Sequence, residues 1–151
     1  MAILGIKVTP SMIWYAIAEG TKKNPGITNL TDDFRIPFPK SLSTHYEKAA
    51  YLFDEVVRII ERNQDIKSIV LKENEYTRFS EKQTSRFSSN LDGVVMAVGA
   101  SKKIIVVKKL YASLGVKKAQ LLNAAETVSG RTAKYWGDDI AEAVLSAVSG
   151  L

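Results

Sequence analysis

Ile3-Leu-Gly-Ile-Lys-Val8 and Met12-Ile-Trp-Tyr-Ala-Ile-Ala-Glu19 are the two stretches of this sequence that decide its fold. Both are rich in β-branched and aromatic residues, which favour extended strands. Thr9-Pro10-Ser11 separates them, and the proline fixes its own φ and biases Thr9 away from helix. The sequence therefore predicts two antiparallel strands joined by a tight turn.

The segments after this hairpin extend it into a meander. Residues 20–26 have the composition of a loop. Residues 34–38 predict a short third strand, and Pro37 places that strand at a sheet edge or near a strand end. Three antiparallel strands in succession are the expected result.

A helix and a buried strand follow the meander. Thr44 and Glu47 form a capping box, and apolar residues recur behind them at helical spacing, so residues 44–63 predict a helix. Residues 66–73 predict a buried strand. Because a helix joins it to the meander, we expect this strand to lie beside the first one and parallel to it.

The second half of the chain predicts one more strand among several helices. The predicted elements are a second helix whose latter part covers 91–100, a strand over 103–108, short helices over 112–114 and 116–128, and a closing helix over 138–148. The chain is thus expected to form a single α/β domain over residues 1–151, with a five-stranded mixed sheet.

Composition excludes several classes of protein. The chain has 151 residues, 46% hydrophobic and 25% charged, as in ordinary globular proteins. It has no cysteine, which excludes disulfides and thiolate metal sites and fits the cytoplasm. We see no signal peptide, and the apolar runs are too short to cross a membrane.

Positive charge is concentrated in one part of the sequence. The formal net charge is +5, and between residues 77 and 118 only Glu81 and Asp92 oppose a run of basic residues. Such clustering favours a polyanionic partner, although a lysine-rich solvated surface is the alternative. Exposed Tyr15, Tyr76 or Phe79 would be able to stack on bases, unless they pack in the core. The candidate nucleic-acid-binding residues are Arg78, Lys82, Arg86, Lys102, Lys103, Lys108 and Lys109.

Three stretches together resemble a known family. They are Gly5 to Glu19 (with Gly5-Ile6 and Tyr15-Ala-Ile-Ala-Glu19), the residues around Ile69 to Glu73, and the closing stretch Gly137 to Val148. These stretches and the order of the elements resemble the ribonuclease H-like superfamily, in its Holliday-junction resolvase branch. The resemblance implies a meander followed by parallel strands, with helices on both faces of the sheet. It also implies a DNA or RNA partner, branched or structured, and allows a homodimer.

The resemblance further implies a two-metal nuclease site. Family members hold Mg²⁺ or Mn²⁺ with carboxylates from the first strand, the end of the fourth strand and the last helix. Glu73, Asp139 and Glu142 match three of these positions and are the expected metal ligands if the protein is active, with Asp138 as a substitute for Asp139. Lys7 stands where the family keeps its first aspartate.

Lys7 sets the alternatives for function. An ammonium group repels Mg²⁺, and pairing with the three acids would neutralise the pocket without metal. We therefore expect a resolvase-related nucleic-acid-binding protein with a degraded metal site. The alternatives are an active Mg- or Mn-dependent endonuclease, or a protein–protein adaptor on the same scaffold. Two further readings stay open: Lys7 on the opposite strand face, and acids that serve only the helix dipole or surface.

Overall fold

The computed structural model describes residues 1–31, 33–75 and 82–151, without the side chain of Thr84. The strands in this part are β1 (Ala2–Val8), β2 (Met12–Thr21), β3 (Asn24–Ile27), β4 (Arg35–Pro37), β5 (Ile66–Lys72) and β6 (Ile105–Lys109). The helices are α1 (His45–Arg62), α2 (Gln83–Lys102), α3 (Tyr111–Leu114), α4 (Leu121–Ser129) and α5 (Asp138–Ser149), with a short 3₁₀ turn at Lys118–Gln120.

The strands form one mixed sheet in the order β3-β2-β1-β5-β6. β1 and β2 are antiparallel, while β5 pairs in parallel with β1 and β6 pairs in parallel with β5. β4 pairs with the first part of β2, and β3 with its last part. The predicted α/β class, the meander and the parallel crossover to β5 are confirmed.

The sheet differs from the expected one in two details. The described sheet has six strands instead of five, because β2 continues to Thr21 and β3 occupies the second half of the expected loop. Pro25 lies within β3, which is possible because this strand is at the edge of the sheet. β6 begins at Ile105 and not at Lys103, which has a left-handed backbone conformation and ends α2.

The long helix α1 forms as predicted. Thr44 is its N-cap and Glu47 completes the capping box. Residues 91–100 form the latter part of α2, as expected, and the helix begins earlier, at Gln83. Tertiary contact with α1 and β6 compensates for the weak helical periodicity of α2.

Helices cover both faces of the sheet, as expected. α1 and α2 enclose one core, which includes Tyr15, so this tyrosine is not a free stacking residue. α4 and α5 enclose the other core, with Trp14 at its border. A Cβ at Gly5 would clash with the backbone carbonyl of Ala143, so glycine lets α5 lie directly on β1.

One end of the sheet collects the functional candidates. The parallel strands β1, β5 and β6 end there, and we call it the carboxyl edge. α1 begins at this edge, where the Lys48 ammonium donates to the Pro10 carbonyl in the β1–β2 turn at 3.3 Å. α2 and α5 begin there as well. Within the described residues, no helix is long and apolar enough to cross a membrane.

Candidate functional site at the carboxyl edge

Two lysines lie side by side where β1 and β5 end. Ile6 pairs with Leu71 in the parallel ladder, so Lys7 and Lys72 are the next residues on the two strands. Both side chains point toward α5. Lys7 is 8% exposed and Lys72 is fully buried. Buried ammonium groups require anionic or hydrogen-bonding partners, and the surrounding elements supply them.

Glu142 of α5 is the shared partner of the two lysines. Its Oε2 lies 3.2 Å from the Lys7 Nζ and 3.9 Å from the Lys72 Nζ. Its Oε1 accepts a short hydrogen bond from the Tyr111 hydroxyl. Glu142 is only 4% exposed, and its Oε2 accepts no hydrogen bond within the described part of the chain. Charge, more than hydrogen bonding, therefore holds this carboxylate in place.

Glu75 provides the second negative charge. The Lys72 Nζ lies 2.6 Å from Glu75 Oε2 and 2.8 Å from the Glu73 carbonyl oxygen. It also lies 4.2 Å from the centroid of the Tyr111 ring. Burial alone would raise the pKa of Glu75, but the Lys72 hydrogen bond, the Tyr111 backbone N–H and the charges of Lys72 and Lys7 hold it below its usual value.

These five residues form a formally neutral unit, which we call the lysine cluster: Lys7, Lys72, Glu75, Tyr111 and Glu142. Burial raises the pKa of the Tyr111 hydroxyl, and its hydrogen bond to Glu142 and the charge of that carboxylate raise it further. The tyrosine is therefore a neutral donor at ordinary pH. Each of the two carboxylates in the cluster faces at least one ammonium group.

A second buried acid lies on the opposite face of the sheet. Asp92 of α2 is 4% exposed and accepts hydrogen bonds from the Asn74 backbone N–H at 2.9 Å and side-chain amide at 2.8 Å. The same amide donates to the Val8 carbonyl at 3.0 Å. Burial raises the pKa of Asp92 to about 6, although the Asn74 hydrogen bonds and the Lys7 charge oppose the change.

Glu73 belongs to the α2 side of the sheet. Side chains alternate along a strand, so the residue after Lys72 points away from α5. The Glu73 carboxylate pairs with the Lys108 Nζ at 3.3 Å, and both side chains are partly exposed. Its charge also contributes to the raised pKa of Asp92. The structure thus does not bring Glu73 to Glu142.

The two aspartates of α5 lie in its first turn. Asp138 is exposed, and Asp139 is partly buried. Burial raises the pKa of Asp139, the charge of Glu142 raises it further, and the charge of Lys7 lowers it. Asp139 therefore lies near the lysine cluster, while Asp138 remains at the surface.

The residues present do not fit a two-metal site. Among the described residues, no three acidic or histidine side chains are arranged to hold a metal ion. Divalent ions need hard oxygen ligands free of competing cations, but Glu142 is engaged by Lys7 and Tyr111. Two ammonium groups at the ends of β1 and β5 would also repel the ion.

The basic residues are divided between the two ends of the sheet. Lys82 and Arg86 begin α2 at the carboxyl edge, and Lys108 lies there at the end of β6. Lys109 turns inward and donates to the Ser149 carbonyl at 3.4 Å. Lys102 and Lys103 end α2 at the opposite end, where the Lys102 Nζ pairs with Glu61 at 2.7 Å. Arg78, Tyr76 and Phe79 lie outside the described residues.

Sequence reasoning missed Lys72, Glu75, Asp92 and Tyr111. The available signal was Lys72, a charged residue at the end of an otherwise apolar strand. The sequence analysis selected Glu73 as the site residue of this strand, whereas in the structure its neighbour Lys72 is the one that faces α5. Asp92 also carried a signal, as an acid within the Leu91–Ala100 apolar run of α2. Glu75 and Tyr111 gave no signal, because long-range contacts alone bring them to the lysines.

Comparisons with known proteins concern the fold. No protein-family model matches the chain, and no curated protein matches its sequence significantly. Thermus thermophilus RuvC in complex with a Holliday junction substrate is similar in structure, with a TM-score of 0.76 and 11% identity over 99% of this chain and 91% of that chain. A second Thermus thermophilus RuvC structure gives 0.75 and 12%, over 99% and 92%.

The yeast mitochondrial Holliday junction resolvase Ydc2 is a more distant neighbour. Its TM-score is 0.60 and its identity 15%, over 97% of this chain and 77% of that chain. The chain therefore has the ribonuclease H-like fold in the form found in Holliday-junction resolvases, as the sequence predicted.

Proposed function

We propose that this protein binds nucleic acid across its carboxyl edge and does not cleave it by a metal-dependent mechanism. The observation that carries the proposal is the pair of buried lysines, Lys7 and Lys72, facing Glu142 at the ends of two adjacent parallel strands. In the resolvase resemblance, this end of the sheet holds the metal ligands. Here fixed ammonium groups balance the carboxylates instead.

Three observations support nucleic acid as the partner. The fold is that of proteins described as resolvases, one of them in complex with a Holliday junction substrate. The chain carries a formal net charge of +5. Lys82 and Arg86 are exposed at the carboxyl edge, where side-chain charge would contact phosphates without reading sequence. Branched or structured DNA or RNA is the proposed ligand class. The predicted homodimer would be checked by light scattering.

Binding is tested by titrating a labelled four-way DNA junction, and a linear duplex, at increasing salt. The wild-type protein should bind the junction, and its affinity should fall steeply as salt rises. Lys82→Gln should lower the affinity and make the salt slope shallower by about one. Lys67→Gln is the matched control, an exposed lysine at the other end of the sheet. No salt-dependent binding of either DNA would overturn the proposal and favour the adaptor.

Cleavage is tested separately, with Mg²⁺ or Mn²⁺ and the same junction. The wild-type protein should leave the junction intact and show no heat of Mn²⁺ binding by calorimetry. The double variant Lys7→Asp/Lys72→Glu should gain measurable Mn²⁺ binding, because it replaces the two ammonium groups with carboxylates beside Glu142. Metal-dependent cleavage by the wild-type protein, abolished by Glu142→Gln, would overturn the second half of the proposal.

A further inference from the structure

An aromatic pair lies at the start of α1, outside the lysine cluster. The His45 ring stacks on the Phe87 ring of α2, with centroids 3.9 Å apart and planes 15° from parallel. Phe87 is buried, whereas His45 is exposed. Phe87 therefore covers one face of the imidazole, and the histidine forms the outer layer of the stack.

A cation and a second aromatic ring lie beside this pair, and both are groups that can contact a nucleotide. The Lys48 Nζ lies 5.8 Å from the Phe87 ring centroid and uses one donor on the Pro10 carbonyl. An ammonium group has three donors, and within the part of the chain that the structure describes two of them remain for a phosphate. Tyr46, the next residue in α1, is 75% exposed and adds a second aromatic surface.

The neighbouring acid does not oppose a phosphate strongly. Glu47 Oε2 accepts hydrogen bonds from the Thr44 backbone N–H at 2.9 Å and the Thr44 hydroxyl at 2.8 Å. These bonds hold the pKa of Glu47 below its usual value. The carboxylate is thus turned to the N-terminus of α1, where the helix dipole offsets its charge.

We propose that an unpaired nucleobase stacks on the outer face of His45 and extends the Phe87–His45 stack, with Lys48 contacting the adjacent phosphate. Aromatic platforms beside cations bind single-stranded nucleic acid with little sequence preference, because every base has a π-face. His45 begins α1 at the carboxyl edge, and Phe87 lies in the first turns of α2 at the same edge. The stack is therefore next to Lys82 and Arg86, which we propose contact the phosphates of the junction. This inference rests on the proposed function and adds single-stranded segments to its ligand class.

The test uses the full chain and an oligothymidylate that carries one 2-aminopurine, in which stacking quenches the fluorescence. The wild-type protein should bind it and quench the label. His45→Ala should lower the affinity about tenfold and remove the quenching, since one stacked base is lost. His45→Phe should restore both, because it keeps the ring. That rescue would distinguish stacking from damage to α1. Leu122→Ala is the matched control, an exposed apolar residue on α4.

Three outcomes would overturn the inference and are distinguishable. If His45→Ala binds and quenches like the wild-type protein while junction binding stays salt-dependent, the stacking site is wrong and the proposed function stands. If the wild-type protein binds neither the junction nor the labelled single strand, both proposals fail. Binding without quenching in the wild-type protein would likewise exclude a stacked base at this position.

Discussion

The two faces of the sheet hold one buried acid each at the carboxyl edge, and they stabilise it differently. On the α5 face, two ammonium groups and a tyrosine hydroxyl surround Glu142. On the α2 face, the side-chain and backbone amides of Asn74 donate to Asp92. Ammonium groups cancel a buried charge, whereas amides only solvate it. Burial therefore dominates at Asp92 and raises its pKa to about 6.

The comparison explains why the two faces differ in chemistry. The lysine cluster is formally neutral as it stands, so adding a divalent cation would leave it with excess positive charge. Among the described residues, the Asp92 side has no such internal balance, because Lys108 and Glu73 neutralise each other at the surface. A change of one residue should therefore have very different consequences on the two faces, and three measurements test this difference.

The largest effect is expected from Lys72→Met. The change keeps the length of the side chain but leaves one ammonium group, that of Lys7, for the two carboxylates of Glu75 and Glu142, and incompletely balanced charge beside a buried carboxylate is costly. We expect the free energy of unfolding to fall by about 3–5 kcal/mol in urea titrations. Lys102→Met is the control: it breaks an exposed ion pair with Glu61 and should cost less than about 1 kcal/mol. Equal losses of unfolding free energy in the two variants would show that the buried lysine cluster is no more sensitive than an exposed ion pair.

An intermediate effect should appear in the pH dependence of Asp92. Its pKa rises from an ordinary 3.8 to about 6 in the folded protein. Between those pH values the folded state binds more protons than the unfolded chain. The contribution of Asp92 to the free energy of unfolding therefore falls as pH rises from about 4 to 6. The free energy of unfolding of the wild-type protein, relative to Asp92→Asn, should fall by up to about 3 kcal/mol over that range.

A pH series of urea titrations on both proteins measures this difference directly. A difference that is flat between pH 4 and pH 7 would mean that the Asn74 amides compensate fully for burial. A difference that rises with pH would mean that folding lowers the pKa of Asp92, as expected for a carboxylate paired with cations.

The smallest effect is expected from Glu73→Gln. This carboxylate forms a partly exposed pair with Lys108, so its loss should change the free energy of unfolding by less than about 1 kcal/mol. The matched variant is Glu142→Gln, an identical chemical change at the fifth residue of α5, within the lysine cluster, which should cost several times more. Similar losses at the two positions, measured by urea unfolding, would place both glutamates in one environment.

Much of the fold was predictable because local patterns agree with it. The β-branched runs of β1 and β2, the capping box of Thr44 and Glu47, and the helix between two strands define the element order. The edge strand β3 was missed, because Pro25 and Gly26 give it the composition of a loop. Pairing with β2 outweighs that composition, and pairing is not visible in a single stretch of sequence.

The candidate site was predictable only in part. Lys7 and Glu142 were both named from the sequence, and they are in contact. Glu73 was named in place of its neighbour Lys72, and Tyr111 and Glu75 were not named. Residues 72 and 73 differ in which face of the sheet they point to, because side chains alternate between the two faces along a strand. An error of one residue in the alignment therefore exchanges the two faces.

Local sequence patterns specify the kinds of element and their order, and they include a lysine where the resolvase resemblance has an aspartate. Hydrophobic periodicity and capping act over a few residues, so the sequence contains them in full. The tertiary structure alone decided that Lys72 joins Lys7, that Glu73 faces the other way and that His45 stacks on Phe87. These contacts depend on register and on helix placement, which only the packing of distant segments fixes.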